Sequence, residues 1–172
     1  GFGFKIGDPN HWRLKKDYAG GGALMDVGIY ALQACRYLTG QEPIKVIAQE
    51  TKTDPIKFAE VDESIAWAMQ FPSGLTTQCL TSYNFSGPNS VVATGENGMI
   101  KLDSGIQLAT SHAPLGISQQ DQFAIEMDDF AKCILEGRSS KVSGKEGLKD
   151  LLVIEAIYRS VANQTLESVE SV

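Results

Sequence analysis

Residues 64 to 83 alternate in character. SIAWAMQF sets Ile65, Trp67, Met69 and Phe71 on one side and Ser64, Ala66, Ala68 and Gln70 on the other, and a period of two belongs to an extended strand. The turn Pro72-Ser73-Gly74 leads straight into LTTQCLTSY, so the segment is expected to form an antiparallel hairpin. A second hairpin is expected from NSVVATG through Glu96-Asn97-Gly98 into MIKLD, where Asn-Gly supplies the left-handed conformation of a tight turn. GIQLAT adds a short strand, and Pro43 introduces the run IKVIAQETKT ahead of them all.

A helical period flanks this block on both sides. From Ala23, the residues Leu24, Val27, Tyr30, Ala31, Ala34, Tyr37 and Leu38 recur at threes and fours, giving a helix with one broad apolar face that Gly40 stops. Gly28 within it costs about 1 kcal/mol relative to alanine, so close packing or a nearby ligand has to justify it. From about residue 121, Phe123, Met127, Phe130 and Ile134 form a second stripe that Gly137 ends. Ser143 and Glu146 have capping-box spacing ahead of a last helix striped by Leu148, Leu151, Ile154, Tyr158 and Val161. The order is helix, four to six antiparallel strands, then two helices. It specifies an α/β (α+β) fold with an open, mainly antiparallel sheet and helices on one face. The hairpin also carries apolar side chains on its other side. That face is expected to be covered by a second sheet or subunit, most simply in a homodimer, the alternative being that its alanines tolerate water.

The 172 residues make one domain, able to remove roughly two thirds of the extended chain's surface from water. A net charge of -6 is the wrong sign for a protein that lives by releasing counterions from nucleic acid. No apolar run approaches the roughly 20 residues that cross a bilayer, and no basic-then-apolar leader opens the chain. A cytoplasmic location is expected, unless an export signal preceded Gly1 in a longer protein. Cys35, Cys79 and Cys133 are odd in number, far apart in sequence and without C-x-x-C spacing. They are expected to be separate buried thiols, with no disulfide framework and no metal site.

Candidate chemistry gathers near the start. Asp26 and Tyr30 are an i,i+4 pair, and a carboxylate beside a phenol can order substrate hydroxyls or move a proton. Equally, Tyr30 can be core and Asp26 can balance the helix dipole. Gly20, Gly21 and Gly22 permit close backbone approach and leave amides at a helix start, where an anion can sit. No apolar strand precedes them, so they are not a dinucleotide fingerprint. His11, Trp12, Arg13, Lys15 and Lys16 can meet a phosphate or ribose, with Arg13 the best bidentate donor, or form a solvated loop that Trp12 anchors. Tyr83 and Asn84 end a strand and can reach a polyol. His112 lies in a polar loop as a candidate substrate contact, more naturally as hydrogen-bonded surface than as a catalyst.

The segment WRLKKDYAGGGALMDVGIYALQACRYLTGQEP closely resembles the start of the C-terminal domain of the glucose-fructose oxidoreductase, inositol dehydrogenase and related (Gfo/Idh/MocA) oxidoreductases, most closely the glucose-fructose oxidoreductase branch. VDESIAWAMQFPSG, SYNFSG, GENGMIKLD and GKEGLKDLLVIEAIYRSV look like the same domain at matching places, so the resemblance spans residues 11 to 165. It implies a substrate-binding and oligomerisation domain of an enzyme acting on a sugar or polyol hydroxyl. NAD or NADP would be held mainly by an N-terminal Rossmann domain that these residues do not include. Asp26 matches the acidic residue beside nicotinamide and substrate, and Tyr30 the proton-transfer position, histidine in some members. The W-R segment, Trp12 and Arg13, matches the cofactor side of the cleft, and Gly21 and Gly22 mark its close approach. The family's E-K-P lysine has no counterpart here, so the isolated chain is expected to be inactive. The alternative is a non-catalytic carbohydrate-binding or assembly protein of the same fold.

Overall fold

In a computed structural model, the structure describes residues 1–85, 89–103, 107–110, 114–115 and 121–172. After β1 (Phe2–Gly3), a 3-10 turn at Trp12–Leu14 and a short helix α1 (Lys16–Ala19), a π-helical turn at Leu24–Gly28 runs into α2 (Ile29–Thr39). Strands β2 (Lys45–Thr51), β3 (Ser64–Gln70) and β4 (Thr76–Ser82) follow, then β5 (Val91–Gly95), β6 (Gly98–Asp103), β7 (Gln107–Thr110) and β8 (Pro114–Leu115). Helices α3 (Gln122–Glu136) and α4 (Gly144–Asn163) precede a final β9 (Glu167–Ser168).

The expected hairpin is β3 and β4, with Ile65 opposite Thr81, Trp67 opposite Cys79 and Met69 opposite Thr77. Its turn closes with Phe71 donating to the Leu75 carbonyl at 2.9 Å and Gly74 at φ 86°. β2 pairs antiparallel with β3, β9 pairs with β2, and β1 runs parallel to β4, giving the order β1-β4-β3-β2-β9. The remaining strands form a separate antiparallel sheet, β5-β6-β7-β8. The open, mainly antiparallel sheet expected from the sequence is present, its strands divided between two hydrogen-bonded sheets, and β1, β8 and β9 have no counterpart in the sequence pattern because two residues carry no period. In the second hairpin, Gly95 pairs with Gly98 and the positive φ, 129°, lies at Gly98 rather than Asn97.

Helices α2 and α4 cover one face of the larger sheet. There Val46, Ile65, Trp67, Met69, Phe71 and Cys79 pack against Leu24, Ala31, Leu32, Val153, Ile154 and Ile157. Each valine, leucine, isoleucine, methionine or phenylalanine among them contributes roughly 1.5–3 kcal/mol when fully buried. The opposite face leaves Ile47 and Leu80 exposed beside Ala66 and Gln49. Helix α3 starts where the Asp121 carboxylate accepts from the Phe123 and Ala124 amides, yet its stripe of Phe123, Met127, Phe130 and Ile134 remains exposed. The capping box at α4 does not form: Ser143 makes no side-chain cap, because the Glu146 side chain reaches Arg36 and Lys149 instead.

The cysteine expectation is corrected too. Cys35 on α2 and Cys79 on β4 stand with their sulfurs 3.6 Å apart.

Candidate active site

The site is built where the glycine triplet meets the π-helical turn. Asp62, just before β3, turns its carboxylate under that turn. Its Oδ1 accepts from the Gly22 amide at 2.7 Å and from the Tyr158 hydroxyl at 2.7 Å, while Oδ2 accepts from the Leu24 amide at 2.8 Å. Those amides belong to the unsatisfied first turn that every helix has, and here the protein's own buried anion satisfies them. A Cβ on Gly22 would lie 2.0 Å from the Asp62 carbonyl oxygen, and one on Gly21 would lie 2.4 Å from the Tyr158 hydroxyl. The close approach at Gly21 and Gly22 is therefore accounted for by packing, and Asp62 holds the Gly22 and Leu24 amides. Burial and the adjacent Asp62 charge push the Tyr158 phenol well above its usual range.

Gly28 has the same kind of reason. A Cβ there would meet the Leu24 and Thr81 side chains at 3.1 Å, so the helix lies close on β4 without any ligand to account for it.

Asp26 lies within the π-helical turn, where Ile29 donates to the Leu24 carbonyl five residues back. The wider turn admits one extra residue and shifts the phase of the helix beyond it. Tyr30, expected in the apolar stripe, is 59% exposed, and Tyr37 is 86% exposed, while Ala31, Leu32 and Arg36 turn inward. No hydrogen bond joins Asp26 to Tyr30. Tyr30 instead stacks on Phe2, with ring centroids 5.9 Å apart, and its hydroxyl has no partner among the described residues.

Two donors hold the half-exposed Asp26. Arg13 Nε donates to Oδ2 at 2.9 Å and the Tyr83 hydroxyl donates to the same oxygen at 3.0 Å, which leaves Oδ1 without a partner among the described residues. Tyr83 is fully buried, and burial together with the Asp26 charge drives its phenol far upward. It stands behind Asp26 as a neutral donor. The sequence expectation placed it among the substrate contacts, and in the structure its hydroxyl is directed to Asp26, while Asn84 bonds Thr53 and Glu63.

The Arg13 guanidinium lies 4.6 Å from the Trp12 ring centroid and 6.0 Å from that of Phe4. Its terminal nitrogens have no partner among the described residues, and the Trp12 ring is itself half exposed and stacked with His11. Trp12, Arg13, Asp26 and Tyr83 are thus one connected group, with Tyr30 one turn along. His112 lies outside the described residues. Sequence reasoning missed Asp62 and Tyr158: the first shows only as an acidic residue ahead of a strand, the second as part of a helix stripe. Among the described residues no cluster of three histidine, cysteine or acidic side chains is placed to hold a metal, and no helix is long and apolar enough to cross a membrane.

Residues 2–101 match the model of the GFO/IDH/MocA C-terminal domain. D-xylose 1-dehydrogenase [NADP(+)] of Haloarcula marismortui is 30% identical over 166 residues, covering 90% of this chain and 46% of that protein. The structure of aldose-aldose oxidoreductase from Caulobacter crescentus, complexed with glycerol, superposes with a TM-score of 0.91 at 40% identity, covering 97% of this chain and 53% of the other. Levoglucosan dehydrogenase in complex with NADH and levoglucosan gives 0.84 at 25% identity, over 99% and 57%. This chain spans about half the length of each of these relatives. They include enzymes named for NADP or solved with NADH, and the chain corresponds to one part of such NAD(P)-dependent oxidoreductases. By its matched residues, its sheet and its helices, the chain belongs to the GFO/IDH/MocA family as its C-terminal domain.

Proposed function

We propose that this domain completes the active site of an NAD(P)-dependent oxidoreductase that acts on a sugar or polyol hydroxyl. Asp26 and Tyr30 would face the reacting carbon. The observation that carries the reading is the setting of Asp26: one carboxylate oxygen is fixed by Arg13 and Tyr83, and the other has no partner among the described residues, with the exposed Tyr30 one turn along. A group positioned by two donors, with acceptor capacity to spare, is suited to orient a substrate hydroxyl.

A nicotinamide, when held by the remainder of such an enzyme, supplies the hydride acceptor. The chain's own residues fit it at one place and not at another. Trp12 and the free end of Arg13 offer a flat, cationic edge for a phosphate or ribose, whereas the Gly22 and Leu24 amides are already taken by Asp62. On this chain, Asp26 accepts a hydrogen bond from the substrate, Tyr30 carries the proton leaving the hydroxyl, and Arg13 holds Asp26 in place. Alternating apolar residues on the open sheet face would supply the contact between copies.

The test is Tyr30→Phe in the longer protein, assayed with NAD and NADP against a panel of aldoses and polyols. Turnover should fall about 10²-fold or more with the folded spectrum unchanged, as for a general acid-base group. Unaltered turnover would take Tyr30 out of the mechanism. No turnover of any sugar by the unmodified longer protein would favour a binding or assembly role.

A further inference from the structure

Cys35 and Cys79 take no part in the proposed reaction. They nevertheless meet. Their sulfurs are 3.6 Å apart, between a helix and a strand separated by 44 residues of chain. A chance pair of buried thiols would ordinarily be sealed in the core, but this one opens on a cavity of about 520 Å³ lined by both cysteines with Ala31, Leu38, Thr77 and Val92. Cys35 is partly exposed and Cys79 is buried, so a small solute entering the cavity reaches Cys35 first.

We propose that Cys35 and Cys79 are a peroxide-oxidisable dithiol, with Cys35 the attacking sulfur and Cys79 the resolving one. The Cys35 thiolate attacks one oxygen of hydrogen peroxide and the O–O bond breaks. The departing hydroxide takes up a proton and leaves as water, with a sulfenic acid on Cys35. Cys79 then attacks the Cys35 sulfur, its own proton leaves with the sulfenic oxygen as a second water, and the S–S bond forms. The two sulfurs together lose two electrons and peroxide gains them. The division of roles follows exposure: Cys35 is the partly exposed sulfur and Cys79 the buried one. The contact between the two sulfurs favours a thiolate on Cys35, while burial pushes Cys79 up. The product would tie the helix that carries Tyr30 to the strand that leads to Tyr83. Neither step depends on the oxidoreductase reading.

Peroxide treatment of the purified protein, alkylation of the remaining thiols and peptide mapping before and after reduction test this. The expected product is a Cys35–Cys79 linked peptide lighter by two hydrogens, with Cys133 still alkylated. Cys133 is the internal comparison, since no second sulfur lies against it among the described residues. In Cys79→Ser the disulfide should vanish and a dimedone adduct should appear at Cys35. In Cys35→Ser, Cys79 should stay a thiol. A wild-type protein in which Cys35 passes to sulfinic acid without linking, or in which Cys133 oxidises first, would overturn the proposal. The wild-type mapping decides it even if a serine variant fails to fold.

Discussion

At Gly22 a single missing methyl group lets the π-helical turn lie on the Asp62 backbone. An alanine there would place its Cβ 2.0 Å from a carbonyl oxygen and 2.7 Å from the Asp62 amide nitrogen, and backbone cannot step aside as a flexible side chain can. Gly22→Ala should cost about 3 kcal/mol in urea unfolding, at the upper end of what overpacking usually does. A loss within a few tenths would mean the turn can shift freely. The triplet is visible in the sequence as a place of close approach, but what approaches is not. Asp62 is 40 residues away in the chain from Gly22, and a carboxylate aimed at two amides leaves no local pattern. For Asp26 the sequence supplies position and residue type, and the resemblance supplies the role. Its two anchors, Arg13 and Tyr83, suggest other duties in the sequence because their shared oxygen exists only after folding.

Elements show the same division between what is local and what is not. Period two marks the β3–β4 hairpin reliably, since alternation and turn residues lie within one short stretch. The phase of α2 escapes the spacing of apolar residues because a π-helical turn has no compositional signature, and the inserted residue turns Arg36 inward and Tyr37 out. Arg36 then becomes the clamp between α2 and α4, bonding Asp150 at 2.5 Å, Glu42 at 2.6 Å and Glu146 at 2.9 Å. Arg36→Met should destabilise the protein by about 3–5 kcal/mol, because it strands the buried Asp150, and Asp150→Leu added to it should recover most of the loss. A single variant as stable as the parent would show that the clamp contributes nothing. Acid should act on the same cluster. Glu42 is held below its ordinary 4.5 chiefly by Arg36, and Glu146 by Lys149 and then Arg36. Groups depressed in the folded state stabilise it above the unfolded value and lose that effect as pH falls through the folded one. Asp150 is raised by burial against the pull of Arg36 and offsets part of this. The urea midpoint should therefore decline below about pH 4.5, and Glu42→Gln should flatten the decline. An unchanged slope in that variant would remove Glu42 from the acid response.

At the scale of the molecule, apolar side chains of the described residues are exposed on β5 and β6, with Val92 and Ile100, on the outer face of the larger sheet, with Ile47 and Leu80, and along the stripe of α3, with Phe123, Met127 and Phe130; the last two surfaces bear on assembly. They need different partners if the domain is half of a longer enzyme. The sheet face is continuous across β2, β3 and β4, which suits a second copy meeting it face to face, and a stable contact of that kind needs about 800 Å² from each partner. In a longer enzyme the exposed α3 stripe would suit the nucleotide-binding half. Sedimentation of the 172-residue chain should then show a dimer or larger species. Ile47→Lys with Leu80→Lys should return it to monomer, because each lysine would have to lose its hydration inside the contact. Phe130→Glu on α3 should leave the assembly intact and lower the apolar dye binding of the isolated chain. The reverse pattern, with the α3 change dissolving the assembly and the sheet changes sparing it, would move the interface to the helix. The sheet would then be the surface that the other half of the protein covers.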